Sequence, residues 1–96
     1  MSGRFIRIPV EVLQTQVYQE LTLGSLKLFL ELLSQYNGYN NGKLTAAWSV
    51  LKNRGWNSKA TLSKSIKQLK ELGFIRVTRQ GSILTSALYA VTWFDN

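Results

Sequence analysis

Apolar residues recur at intervals of three and four from residue 22 onward, which is the spacing of a buried helical face. The residues on this face are Leu26, Phe29, Leu30, Leu33 and Tyr36, widened by Leu28 and Leu32. Thr22 is suited to cap the N-terminus of this helix. We expect the helix to end in the sequence YNGYNNG, because its glycines and asparagines tolerate left-handed backbone.

The segments on either side of this helix predict shorter elements. FIRIPVEVL predicts a short strand at its beginning, and Pro9, with its fixed φ, can open a helical turn over Val10–Leu13. After the YNGYNNG segment, Lys43 and Leu44 predict another short strand.

A second helix and a tight turn follow. We expect Thr45 to cap a helix that reaches Arg54. Its inner face is formed by Ala47, Trp48 and Leu51. Gly55 is predicted to end the helix and Trp56 to pack the turn inward.

The third helix carries one apolar stripe and one basic face. Asn57 or Ser58 is predicted to cap it, and Gly73 to end it. Leu62, Ile66 and Leu69 form the stripe, with Leu72 at its margin.

The remainder of the chain alternates with the period of a strand. In FIRVTR, Ile75 and Val77 face inward while Arg76 and Thr78 face outward. RQGS predicts a turn, and ILTSALYAVTW predicts a returning strand with Tyr89, Val91 and Trp93 on one face. The expected fold is therefore a single domain over residues 1–96, mainly α with a C-terminal β-hairpin (α+β): three main helices followed by the hairpin.

Charge is concentrated in one segment of the 96-residue chain. Nine of the twelve basic residues lie between Lys43 and Arg79, with Glu71 as the one acid there, while the remainder has three basic and four acidic residues. Charge that served solubility alone would be scattered, whereas contact with phosphates gathers it on one surface. The asymmetry favours a nucleic-acid partner.

Composition argues against several other classes. Cysteine and histidine are both absent from the sequence, so disulfides, the usual zinc, iron and copper ligands, and the common general base and thiol nucleophile are missing. The five acids are spread along the chain, and no phosphate-cradling glycine motif occurs. We expect no enzyme activity, cofactor or metal. LKLFLELL is too short and too charged to span a bilayer, and the N-terminus lacks a signal-peptide core, so we expect a cytoplasmic protein, nucleoid-associated when bound to DNA.

With its apolar stripe facing inward, helix 58–72 presents a polar face of the kind that reads DNA. Small side chains near its N-terminus let the backbone approach base edges, while lysines neutralise phosphates. The candidate contacts on this helix are Ser58, Lys59, Ala60, Thr61, Ser63, Lys64 and Lys67. Arg76 and Arg79 of hairpin 74–93 would touch the backbone or the minor groove, and Lys43 and Arg54 complete the set. A lysine-rich face is also often merely solvated, and the coincidence of turn, helix, hairpin and charge favours DNA.

The stretch LTAAWSVLKNRGWNSKATLSKSIKQLKELGFIRVTRQG resembles the core of winged helix-turn-helix DNA-binding proteins. In that family a helix, a turn with a buried apolar residue, a recognition helix and an LGFI-type start of the wing recur. YNGYNNGKL, and TRQG followed by LYAVTW, are similar to small helix-turn-helix proteins of bacterial phages and integrated mobile elements. The resemblance implies binding to double-stranded DNA. Long flanking dimerisation helices are missing, which leaves a homodimer open.

Two kinds of binding protein, besides a transcriptional regulator, remain compatible with the sequence. One is a replication-initiation or DNA-architecture protein of a phage or plasmid. The other is a winged-helix module that docks on an acidic protein, which clustered lysines without a large apolar patch would permit. The sequence does not define the operator, an effector, or the direction of regulation.

Overall fold

A computed structural model describes residues 5–95, which form an α+β fold with a three-stranded antiparallel sheet. The α-helices are α1 (Val10–Leu13), α2 (Gln16–Gln19), α3 (Leu23–Gln35), α4 (Trp48–Leu51) and α5 (Lys59–Glu71). The strands are β1 (Leu44–Thr45), β2 (Ile75–Arg79) and β3 (Leu88–Val91), followed by a 3-10 helix over Thr92–Asp95. The central strand is β3, with β1 on one side and β2 on the other.

The N-terminal segment is helical after Pro9, as predicted. The prediction of a strand before Pro9 is wrong. Residues 5–9 have no regular secondary structure, since within the described residues the strand pairings involve only β1, β2 and β3. The short helix α2 was not predicted. It begins where the Thr15 hydroxyl accepts a hydrogen bond from the Tyr18 N–H at 3.2 Å.

Helix α3 begins at the predicted cap but is rotated from the predicted face. The Thr22 hydroxyl accepts a hydrogen bond from the Ser25 N–H at 3.1 Å. The buried residues are Ser25, Leu28, Phe29, Leu32 and Leu33. Leu30, which was expected to be buried, is 40% exposed, and Leu26 and Tyr36 are half-buried. The predicted face is rotated because Gly24 of α3 lies against Ser65 of α5.

Gly24 of α3 and Ser65 of α5 lie at the crossing of the two helices. A Cβ at residue 24 would lie 3.0 Å from Ser65 Oγ, so glycine allows the helices to approach closely. Ser65 is buried, and its hydroxyl donates to the Thr61 carbonyl at 2.9 Å. This local bond satisfies a polar group that would otherwise destabilise the interior.

The segment before α5 differs from the prediction in its boundaries. Lys43 lies outside β1, and Thr45 belongs to the strand, where it pairs with Leu88. The side-chain amide of Gln35 also donates to the Thr45 carbonyl and accepts from its N–H, both at 2.8 Å. Thr45 lies two residues before the cap position, and its hydroxyl accepts from the Ala47 N–H at 3.1 Å and not from an N–H of the helix. Ala47 is the N-cap residue instead, and α4 is a single turn that is followed by hydrogen-bonded turns over residues 52–55.

The hairpin keeps its predicted inward face but has a longer loop. Ile75 is buried and Val77 packs against the core, while Arg76 and Thr78 are exposed. The returning strand begins only at Leu88, so residues 80–87 form the loop where the shorter turn RQGS was expected. Trp93 was placed in this strand, but it lies in the 3-10 helix.

The core lies between α3, α5 and the inner face of the sheet. Phe29 is at its centre and meets Phe74 edge-on at 5.2 Å and Trp93 edge-on at 4.9 Å between ring centroids. These contacts join α3 to both chain segments at the open end of the hairpin. Among the described residues, no helix has the length and apolar character needed to cross a membrane.

Candidate nucleic-acid interface

Helix α5 begins and ends within the predicted range of 58–72. The Ser58 hydroxyl accepts a hydrogen bond from the Thr61 N–H at 3.2 Å, which makes Ser58 the N-cap. Gly73 follows the helix with a φ of 82°, a left-handed conformation that glycine adopts without strain. The cap and the stop therefore define the length of the polar face.

The inner side of α5 is rotated slightly from the predicted stripe. Leu62 and Leu69 are buried, as predicted, and Ser65 is the third buried residue. Ile66, which was predicted to be a core residue, is half-buried, as is Leu72. The reason is the close crossing with α3, which places Ser65 and not Ile66 at the point of contact.

The turn between α4 and α5 has the predicted backbone conformation and the predicted buried tryptophan. Gly55 has a φ of 88°, and Trp56 packs inward with 5% exposure. The ammonium group of Lys27 on α3 lies 6.0 Å from the centroid of the Trp56 ring. The turn is thereby held against α3, and it sets the direction in which α5 leaves it.

Gln68 fixes α5 to the loop before α3. Its side-chain oxygen accepts from the Thr22 N–H at 3.0 Å, and its side-chain nitrogen donates to the Glu20 carbonyl at 3.0 Å. This residue was not predicted, because a glutamine on a helix gives no signal of a partner more than forty residues away in the chain. The two bonds restrain the rotation of α5 about its own axis.

Most of the predicted contact residues of α5 lie on the side that faces away from α3. Lys59, Ala60, Thr61, Ser63, Lys64 and Lys67 are all exposed, and Ser58 is half-exposed. Thr61 lies at the edge of the helix contact, since its methyl carbon would meet a Cβ at residue 24 at 3.5 Å. The result is a continuous polar face about three turns long.

The lysines on and around this face are little neutralised. In the part of the chain that the structure describes, no carboxylate lies within 4.0 Å of the ammonium groups of Lys43, Lys59, Lys64 or Lys70. Lys67 Nζ lies 3.9 Å from Glu71 Oε1, and both side chains are exposed to solvent. Exposed pairs of this kind are weak, so Lys67 can still attract an anion.

Arg54 is the candidate whose charge is most clearly shared. Its Nε donates to Glu31 Oε2 on α3 at 3.0 Å. This hydrogen bond and the carboxylate charge raise the pKa of Arg54 above its ordinary value. Arg54 therefore contributes less attraction for an anion than the lysines of α5. This pairing was not predicted, because Glu31 lies 23 residues away in the chain.

The hairpin places the remaining basic candidates on and beside β2. Arg76 and Arg79 are exposed, and Arg79 Nη2 donates to the Ser86 carbonyl at 2.7 Å. The Thr78 hydroxyl donates to the Gly42 carbonyl, which brings the segment leading to exposed Lys43 against this strand. Lys43 thus belongs with the hairpin, a neighbourhood that its position in the sequence did not predict.

Comparisons of the chain with protein-family models, with curated proteins and with solved structures gave no match. Within residues 5–95, no three His, Cys, Asp or Glu side chains are grouped as metal ligands would be.

Proposed function

We propose that this chain binds double-stranded DNA with sequence selectivity, as a winged helix-turn-helix protein that acts as a transcriptional regulator. Helix α5 is the recognition helix and enters the major groove. The hairpin of β2 and β3 is the wing and lies against the neighbouring backbone.

The order of the elements supports the winged helix-turn-helix arrangement. Helix α4, the turn closed by Gly55 and Trp56, and helix α5 are followed directly by the hairpin. This is the order in the family that the sequence resembles. The pairing of β3 with β1 and the burial of Ile75 and Val91 attach the hairpin to the core.

The observation that carries the proposal is the difference between the two sides of α5. One side is fixed to α3 by the crossing at Ser65 and by the hydrogen bonds of Gln68. The other side exposes lysines, hydroxyls and an alanine. A major groove about 12 Å wide admits such a helix. Lysines at its edges then reach phosphates, while Thr61 and Ser63 reach base edges.

The experiment that tests this function is selection of bound duplexes from a random pool, followed by sequencing. The proposal predicts enrichment of a short common site, and a palindromic site would indicate a dimer reading two half-sites. A matched variant, Lys64→Ala with Thr61→Ala, should lose the enrichment because both substitutions lie on the exposed face of α5. Leu23→Ser, at an exposed residue of α3, is the control and should enrich the same site as the native chain.

The selection also separates DNA binding from docking on an acidic protein. A protein-interaction module would enrich no duplex over the starting pool, and the proposal would then be wrong. Enrichment of bound DNA without a common sequence would contradict the regulatory role and leave only non-specific binding.

A further inference from the structure

Two aliphatic side chains stand fully in solvent at the tip of the loop between β2 and β3. Ile83 is completely exposed and Leu84 is 92% exposed. The two residues are consecutive in the chain, so they form one small apolar patch and are not scattered over the surface. Leaving both in water forgoes the stabilisation that burial of such side chains provides.

The loop that carries this tip is ordered by its own hydrogen bonds. The Ser82 N–H donates to the Thr85 carbonyl at 2.8 Å, which closes a four-residue turn with Ile83 and Leu84 at its centre. The Ser82 hydroxyl also accepts from the N–H groups of Leu84 and Thr85, both at 3.2 Å. The two side chains are therefore held outward before any partner binds, which lowers the entropy cost of inserting them.

The base of the loop is closed as well. The bond from Arg79 to the Ser86 carbonyl joins its two sides. A Cβ at residue 81 would lie 3.1 Å from the Ala87 nitrogen, so Gly81 permits the two sides to approach. The two sides of the loop below the tip are thus held close together.

The surroundings of the tip indicate which partner it meets. Residues 75–93 contain two arginines and no acidic residue. The loop and Ala46 and Ala47 at the start of α4 line one open cleft, and the Trp48 ring in α4 lies 6.0 Å from the ammonium group of Lys59 at the start of α5. The apolar tip therefore lies on the same side of the fold as the start of α4, the element that leads into the basic face of α5.

We infer that Ile83 and Leu84 insert between neighbouring base pairs from the minor groove and bend the duplex. This inference rests on the proposed function. Aliphatic side chains inserted in this way partly unstack a base step and kink DNA by roughly 20–90°. Arg76 and Arg79 would then meet the phosphates that flank the step. A lipid surface is less favoured, because surface-bound proteins bury a broad apolar face, whereas this tip offers two side chains.

The test uses the full chain and the duplex enriched by selection. The duplex carries a donor and an acceptor dye at its ends, and a fluorescent adenine analogue beside the expected step. We expect the native chain to shorten the distance between the dyes and to raise the emission of the unstacked analogue. The double variant Ile83→Ser, Leu84→Ser should bind about tenfold more weakly and give neither signal, since burial of the two aliphatic side chains contributes roughly two factors of ten, of which the cost of unstacking removes about one. Its salt dependence should be unchanged, because no charge is lost.

The control is Leu23→Ser, which makes the same kind of substitution at a leucine that is also exposed but lies on α3. It should bend DNA as the native chain does. Circular dichroism and thermal unfolding establish that all three proteins are folded.

Three results would overturn the inference. Binding of the native chain with no bend and no change in emission would show that the tip does not insert, while DNA binding itself would stand. Loss of binding to phosphatidylserine–phosphatidylcholine vesicles in the double variant, with DNA binding unchanged, would assign the tip to lipid. Loss of a dimer in the double variant on sedimentation, again with DNA binding unchanged, would assign it to a second copy. Absence of salt-sensitive DNA binding by the native chain would instead contradict the proposed function.

Discussion

Gln68 on α5 accepts a hydrogen bond at 3.0 Å from the backbone N–H of Thr22, the residue that caps α3. The same side chain donates to the Glu20 carbonyl. One side-chain amide therefore joins the helix that carries the basic face to the beginning of the helix that supports it. The orientation of Lys64 and Lys67 depends on this joint as well as on the apolar contacts below them.

Replacement of this amide should loosen the joint without removing any charge. We expect Gln68→Ala to lower the free energy of unfolding by about 1 kcal/mol, because water can reach both exposed bonds and replace them in part. Duplex affinity should fall while the dependence on salt stays unchanged. Urea unfolding and fluorescence anisotropy measure the two effects. Gln14→Ala, at an exposed glutamine that directly follows α1 and lies outside the proposed interface, should change neither quantity.

The rotation of α5 can be tested by comparing two core substitutions. Leu69 is completely buried and Ile66 is half-buried. Leu69→Ala should cost roughly 2–5 kcal/mol of stability by leaving a cavity, and Ile66→Ala should cost about half as much or less. Urea denaturation of both variants gives the comparison. A larger cost at Ile66 would mean that the helix is turned the other way, and the lysine face with it.

Tyr89 should make stability dependent on pH at the alkaline end. Burial raises the pKa of the Tyr89 phenol above its ordinary value of 10.0. The unfolded chain therefore releases this proton at a lower pH than the folded chain does, so stability is fully present below about pH 10 and falls as pH rises above it. Tyr89→Phe should remove part of this fall in unfolding experiments, whereas Tyr39→Phe, at an exposed tyrosine, should retain it. An equal effect of both substitutions would contradict the assignment to Tyr89.

Local sequence signals predicted the features that depend on local hydrogen bonds and backbone conformation. Thr22 and Ser58 cap their helices, and Gly55 and Gly73 adopt the left-handed conformation at the predicted stops. The exposure of the lysines on α5 also followed from periodicity, because a helix with one apolar stripe must leave its other side in solvent.

Features that depend on partners far away in the chain could not be predicted in this way. Ser65 is buried because Gly24 crosses it, and apolar spacing alone assigned that position to Ile66. Thr45 is a residue type that often caps helices, but here it pairs with Leu88 in the sheet and its N–H donates to the Gln35 side chain. In the candidate site, the pairing of Arg54 with Glu31 of α3 was missed for the same reason.

The helix and the wing should respond differently to substitution. If α5 reads bases, replacing Thr61, Ser63 or Lys64 by alanine should change which bases are preferred and cost roughly 1–3 kcal/mol at a contacted pair. Arg76→Ala should weaken cognate and random duplexes alike and lower the salt slope by about one unit. Selection of bound duplexes with each variant supplies the measurement. The reverse pattern would make the wing the reader, as a minor-groove arginine can be.

The central claim, that the basic surface between Lys43 and Arg79 meets duplex DNA, is tested most directly by the salt dependence of binding. Anisotropy titrations of a labelled duplex at several salt concentrations give the logarithm of affinity against the logarithm of salt. If about five of the nine basic residues in this segment contact phosphates, the slope should be roughly −4 to −5. A double variant, Lys64→Gln with Lys67→Gln, should bring it closer to zero by about two units. A slope near zero for the native chain would contradict the claim.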